Sequence, residues 1–218
     1  MARLVTPSTN ALATELEAQR VIWKVSALAP SDIGHSEEEQ DLVCMLLNAV
    51  SDAVEQLLGG VIERTYTERY DGGAAWIALR HRPVWSVVSV KEFNAQLVEG
   101  THYLVYRESG RIRRIPSLPG HTVFAPYPQA IEVTYVAGWA TQVRDPNNQL
   151  IAVNYRPGGE AIRQAVLLWC KALWEVGPAA YSYQITESGV FLNRNLEVPP
   201  PVAALLAPFR NATARIAP

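Results

Sequence analysis

The chain has 218 residues, 49% hydrophobic and only 18% charged, with a formal net charge of −2. This length supports one full core or one and a half small domains, and the charge excludes the strongly basic make-up of a groove-reading nucleic-acid binder. Its two cysteines, Cys44 and Cys170, form neither a disulfide framework nor a metal-ligand spacing and read as reduced, buried thiols.

Met1–Pro7 lacks the apolar run of a signal peptide. No stretch approaches the roughly 18 uninterrupted apolar residues of a membrane span. A protein made and kept in a reducing cytoplasm, or in something assembled there, is expected. Residues 11–28 form the first predicted helix, with Leu12, Leu16 and Gln19 on one side. Val21, Ile22, Trp23 and Val25 make its second half apolar nearly all round, and Pro30 and Gly34 end it. Ser36-Glu37-Glu38-Glu39 then spells a capping box, a serine and a glutamate that each bond the other's free backbone N–H. Leu42, Val43, Leu46, Leu47, Val50, Ala53, Val54, Leu57 and Leu58 follow at spacings of three and four, one wide helical stripe. Asn48 and Ser51 are small propensity losses within it. The acids at its start suit the helix dipole, and Gly59-Gly60 stops it.

From Val61 the period changes to two. Ile62–Tyr70 alternates up to the turn Asp71-Gly72-Gly73, and Ala74–Leu79 continues as a strand. Arg82-Pro83 breaks it, and Val84–Val90 is the next strand. Tyr103–Tyr106 and Arg111–Ile115 read as a hairpin about Glu108-Ser109-Gly110. A proline-rich loop then leads to Ile131–Val136, the last strand. Asp145-Pro146-Asn147-Asn148 and Pro157-Gly158-Gly159 mark residues 141–159 as an exposed loop. Ile162, Ala165, Val166, Trp169, Ala172, Leu173 and Val176 restore a helical stripe, ended by Gly177-Pro178. Pro199-Pro200-Pro201 predicts a stiff extended piece, with a short helical turn over Val202–Phe209.

These elements predict an α+β fold: a small antiparallel bundle of three main helices, with an inserted β module and an extended C-terminal arm. Residues 12–60 supply the first two helices, 61–140 the β module, 141–159 a loop, 160–178 the last bundle helix and 179–218 the arm.

Residues with chemical potential are scattered. His35, His81, His102 and His121 have no partner at metal-ligand spacing. Ser86 and Ser89 lack the glycines of a nucleophile elbow, and the paired glycines are turn formers, not phosphate loops. The acidic run Glu37–Asp41 is accounted for as helix N-terminal charge. No catalytic, cofactor-binding or metal-ligating residue is assigned. Arg111, Arg113 and Arg114 form the one dense basic group. Alternation sets Arg111 and Arg113 on one strand face and Arg114 on the other. The group reads either as a solvated edge that discourages strand pairing or as a contact with an acidic neighbour or DNA phosphate.

Several stretches carry a resemblance to a family. Thr65–Gly72 looks like its first strand and turn, and Arg82-Pro83-Val84-Trp85-Ser86-Val87-Val88-Ser89-Val90 resembles its R-P-V-x-S-V-x-S-V strand. Ile131–Trp139 is similar to its V-T-Y-x-A-G-[YW] strand, Ile162–Leu168 to the start of its last helix, and Leu205–Arg210 to its L-L-x-P-[YF]-R ending. The family is the head–tail connector, or adaptor, proteins of long-tailed bacteriophages. The longer 141–159 link and an N-terminal extension over residues 1–11 depart from it.

The resemblance implies a structural virion protein of the neck, not an enzyme, assembled in the host cytoplasm. It implies a homo-oligomeric ring, commonly of twelve subunits, docked on the portal protein. Such a ring bridges to the next head-completion or tail protein, DNA passes through its centre, and no membrane or cofactor is involved. A slightly acidic subunit suits such a conduit, because transiting DNA does not adhere to it. Charge-poor flanks suit a heterologous interface that closes. The arm is expected to anchor the portal through Val202, Leu205, Leu206, Phe209 and Arg210; the alternative is that it folds back on its own or the next subunit. Other functions compatible with the sequence are a different virion binding module (a tail-completion or receptor-binding protein) and an enzyme with a site built from His81, His102 or His121.

Overall fold

In the computed structural model, the structure describes residues 5–23, 36–116, 123–176, 182–186, 189–193 and 197–214. In chain order the elements are α1 (Glu15–Trp23), α2 (Glu37–Leu58), β1 (Arg64–Tyr70), β2 (Trp76–Ala78), β3 (Val84–Glu92), β4 (Ala95–Leu97), β5 (Tyr103–Tyr106) and β6 (Arg111–Arg114). β7 (Ile131–Ala137), β8 (Ala140–Arg144), β9 (Leu150–Tyr155), α3 (Glu160–Val176), β10 (Ser182–Thr186), β11 (Gly189–Asn193) and α4 (Pro200–Ala214) complete it. The chain divides into two units, one of Met1–Ile62 with Ala140–Asn211 and one built on Glu63–Trp139.

In the first unit, α2 starts at the capping box read from sequence. Ser36 N donates to Glu39 Oε2 at 3.0 Å, and Glu39 N donates to Ser36 Oγ at 3.2 Å. The helix ends at Gly59, whose φ of 71° is the left-handed conformation that glycine adopts freely. Val43, Leu46, Leu47, Val50 and Val54 are buried along the stripe, and α2 packs on α1 and α3. α1 begins later than the periodicity predicts because a second capping box sits at Thr14: Glu17 N donates to Thr14 Oγ1 at 3.2 Å and Thr14 N to Glu17 Oε2 at 2.7 Å. The predicted end of this helix, with Pro30 and Gly34, lies outside the described residues, as does the Gly177-Pro178 stop.

Ahead of α1 the backbone runs as a strap along α2. Ser8 N donates to Asn48 Oδ1 at 2.8 Å, Asn48 Nδ2 to Thr6 O at 3.0 Å, and Leu12 N to Ser51 Oγ at 3.0 Å. The two poor helix formers in α2 are the anchors of that strap. Glu55, buried near the helix end, accepts from Val61 N at 2.6 Å and so fixes the exit of the chain.

Three features overturn the expectation of a small helical bundle with an extended arm. The chain is α+β, and its described residues hold four helices but eleven strands in four antiparallel sheets, more sheet than bundle. Residues 141–159, expected as a loop, hold the β8–β9 hairpin. Its turn residues are the ones that suggested a loop: Asp145 N donates to Gln149 O at 2.9 Å, and Gln149 N to Asp145 Oδ1 at 2.7 Å. The arm is not extended: it contains the β10–β11 hairpin and α4. Pro200 and Pro201 occupy the first turn of α4, where a missing N–H costs no intrahelical bond, so the proline run starts a helix instead of stiffening a tail.

The second unit has two sheets, ordered β1-β7-β3-β4 and β2-β6-β5. β7 lies between β1 and β3, and its alternate residues Ile131, Val133, Tyr135 and Ala137 are wholly buried. They share one core with Ile77, Leu79, Ile112, Phe124 and Val90. Asp71-Gly72-Gly73 is a turn, as expected, but it carries the chain from one sheet to the other instead of closing a hairpin. Gly72 N donates to Tyr127 O at 3.1 Å and Gly73 N to Phe124 O at 2.9 Å. A Cβ on Gly72 would lie 1.7 Å from the Ala125 carbonyl oxygen, so only glycine fits there.

Two outcomes follow for urea unfolding. Leu46→Ala lowers stability by roughly 2–5 kcal/mol, the cost of a core cavity. Gly72→Ala costs roughly 3 kcal/mol, whereas Gly100→Ala, with nothing near its Cβ and only its φ of 81° to strain, costs less.

Candidate functional site

The period of two in β6 decides what its arginines do. Arg111 and Arg113 point outward, and Ile112 and Arg114 point inward. Arg114 is only 7% exposed; it donates to His102 O at 2.9 Å, pairs with Glu92 Oε2 at 3.3 Å and lies 5.8 Å over the Phe124 ring. Of the three predicted contact arginines, this one is therefore spent inside the unit, closing a polar link between β6 and the end of β3. Glu92 is held in turn, its Oε1 accepting from Ala125 N at 2.7 Å.

The outward pair stands on an exposed sheet face. Trp76 is paired with Arg113 and Arg113 with Leu104, while Ala78 is paired with Arg111 and Arg111 with Tyr106. The Arg113 guanidinium lies 5.3 Å over the Trp76 ring, and the Trp76 and Tyr106 rings are 5.0 Å apart. Trp76, Leu104 and Tyr106 are each about 40% exposed despite their size. Behind them, Arg82 packs over Gly110, where a Cβ would lie 2.8 Å from Arg82 Nε. Burial, and then the charge of Arg111, hold the Arg82 pKa below its ordinary value. The face thus combines two cations, two aromatic rings and a leucine with no acid among its outward residues.

A second cluster stiffens the same unit. The Glu68 carboxylate accepts from the Tyr70 hydroxyl and, at 2.6 Å, from the Tyr135 hydroxyl. His81 Nε2 is 3.5 Å from Glu68 Oε1, and the His81 ring stacks on Tyr66 at 3.8 Å. The two hydroxyls also accept backbone N–H groups, Tyr70 from Arg80 and Tyr135 from His81. Burial first, and then the Glu68 hydrogen bond, push the Tyr70 hydroxyl up to about 12 and that of Tyr135 higher. The cluster ties β1 and β7 to the segment entering β3; each of its members is spent on that link.

The remaining sequence candidates are placed as follows. His102 Nδ1 accepts from Val98 N at 2.9 Å, while His35 and His121 lie outside the described residues. Cys44 and Cys170 are buried free thiols, and burial pushes Cys170 up to about 12. Among the described residues no group of three His, Cys, Asp or Glu is arranged to hold a metal ion, and no helix is long and apolar enough to cross a membrane. In α4, Val202, Leu206 and Phe209 are buried in the chain's own fold, whereas Leu205 and Arg210 are half-exposed. The apolar groups expected to wait for the portal are thus largely covered within the subunit. Trp76, Leu104 and Tyr106 were not singled out from sequence, although the alternation of β5 and β6 sets Leu104 and Tyr106 on one face.

No protein-family model matches the chain, and no curated protein matches it. Solved structures do share its fold. A chain from the virion of a native gene transfer agent particle aligns with a TM-score of 0.52 at 16% identity, covering 99% of this chain and 96% of that one. A chain from the neck of an empty gene transfer agent particle, computed with C6 symmetry, aligns with a TM-score of 0.53 at 16% identity over 98% and 95%. The protein therefore has the fold of virion and neck chains of a gene transfer agent.

The tyrosine cluster generates a pH dependence. Tyr70 keeps its proton in the folded state up to about 12, whereas the unfolded side chain titrates near 10.0. Its contribution is complete below pH 10 and falls away as pH rises towards 12. Urea unfolding across that window is expected to show the loss, and Tyr70→Phe to reduce it, leaving the part owed to Tyr135.

Proposed function

We propose that this chain is a structural subunit of the neck of a phage-like particle. Copies form a ring that docks on the portal and connects the head to the tail or to the next completion protein, with DNA passing through the centre. The observation that carries this reading is the shared fold with a neck chain over 98% of this chain's length. The connector-like stretches Arg82–Val90, Ile131–Trp139 and Leu205–Arg210 support it from sequence. The chemistry of the surface supports it too. A ring subunit needs a side-to-side contact, and the exposed Trp76–Tyr106–Arg113 face has the residue types that dominate binding energy at protein interfaces. Portal docking through α4 falls to its outer side, where Leu205 and Arg210 are half-exposed, since Val202, Leu206 and Phe209 are occupied within the subunit.

Sedimentation and negative-stain imaging of the purified chain, alone and with the portal protein of its particle, test the reading. Closed rings seated on the portal are expected, with monomers or mixtures in its absence. A stable dimer as the sole species in both samples, with no portal co-sedimenting, overturns it.

A further inference from the structure

We propose that the exposed face of the β2-β6-β5 sheet is the head-to-tail contact between neighbouring copies, and that its occupant is the acidic first turn of α2 of the next copy. This rests on the ring reading above and names the surfaces that would build it. The face is ordered before anything binds: Arg113 lies over Trp76, and Trp76 against Tyr106, so fewer side-chain rotamers have to be frozen on docking. Its outward residues carry two positive charges and no negative one. An occupant must therefore bring acid, together with some apolar area for Trp76 and Leu104.

Duplex DNA brings acid but no apolar surface, and two arginines neutralise few phosphates. The chain itself supplies a better match. Glu37, Glu38 and Glu39 are three consecutive acids in the first turn of α2; Glu39 is spent on the capping box, while Glu37 and Glu38 are exposed. Leu16, on α1, leaves a large apolar group partly exposed and lines one cavity with Gln40 at the start of α2. Symmetry then selects the arrangement. A two-fold contact through the sheet face would set Arg111 and Arg113 of one copy against those of the other, like charge on like. A heterologous contact pairs basic face with acidic turn, uses each surface once per copy, and repeats until it closes.

Charge exchange tests this. Two variants, R111E/R113E and E37K/E38K, change only exposed side chains, so circular dichroism should match wild type, with E37K/E38K unfolding somewhat earlier because it reverses charges that suit the α2 dipole. Sedimentation and imaging are run on each with the portal protein present. Each variant alone is expected to lose ring assembly, needing at least tenfold more protein for the same oligomer. An equimolar mixture restores it, because each reversed surface then meets its complement on the other variant. Assembly of both single variants like wild type overturns the contact and leaves the neck reading standing. Loss in the variants without rescue by mixing overturns the acidic turn as occupant. Intact rings in R111E/R113E with lost retardation of duplex DNA would assign the face to nucleic acid instead. Failure of the wild-type chain itself to assemble removes the ring reading and this contact with it.

Discussion

Strand β7 is hydrogen-bonded on both edges, and the second unit is arranged around that constraint. All seven of its residues pair with β1, and β3 occupies the other side with two register shifts. With no free edge, β7 can bury Ile131, Val133, Tyr135 and Ala137 while Glu132 and Thr134 face outward, Glu132 to Lys91 at 3.0 Å and Thr134 to the Thr67 hydroxyl at 3.1 Å. The pairing joins residues 67 apart in sequence. Of the strands between them, β3 and β4 extend the same sheet, while Ile77, Tyr103 and Ile112 of the three-stranded sheet share a core with the inward face of β7.

That arrangement explains why neighbouring arginines lead different lives. One face of the β2-β6-β5 sheet is committed to the core, so Arg114 survives there only with an acid, a carbonyl and a ring around it. The other face has no such commitment, and Arg111 and Arg113 remain available together with the large side chains beside them. A single strand therefore divides one basic cluster into a buried part and an exposed part.

Much of this was legible in the residues. The α2 capping box and stripe, the β5–β6 hairpin, and the alternation that separates Arg114 from its neighbours follow from periods and from turn chemistry that act locally. What was not legible depends on partners distant in the chain. The strap over α2 turns Asn48 and Ser51 from weak helix formers into hydrogen-bonding anchors, and no local pattern announces that. β8 and β9 were hidden because their turn residues dominated the reading, and the prolines of α4 because the same residue both stiffens a coil and opens a helix. Trp76 lay within the strand expected over Ala74–Leu79 but escaped because its place beside Arg113 depends on pairing with β6, distant in the chain.

The discontinuity of the first unit bears on how the polypeptide emerges during synthesis. Its strap is tied to the far side of the insertion: Gln142 Nε2 donates to Ala11 O and the Tyr155 hydroxyl to Leu12 O, across 131 and 143 residues. The sheets of the other unit lie in one stretch, Glu63–Trp139, and can close as soon as β7 leaves the ribosome. The apolar stripe of α2 has no such option, since α3 begins on the order of a hundred residues later. At about 5–20 residues per second, that is roughly 5–20 seconds during which a helix with several bare leucines and valines waits without its partner. The inserted sheets thus fold first, and the segment most in need of a chaperone's protection is the one translated before them.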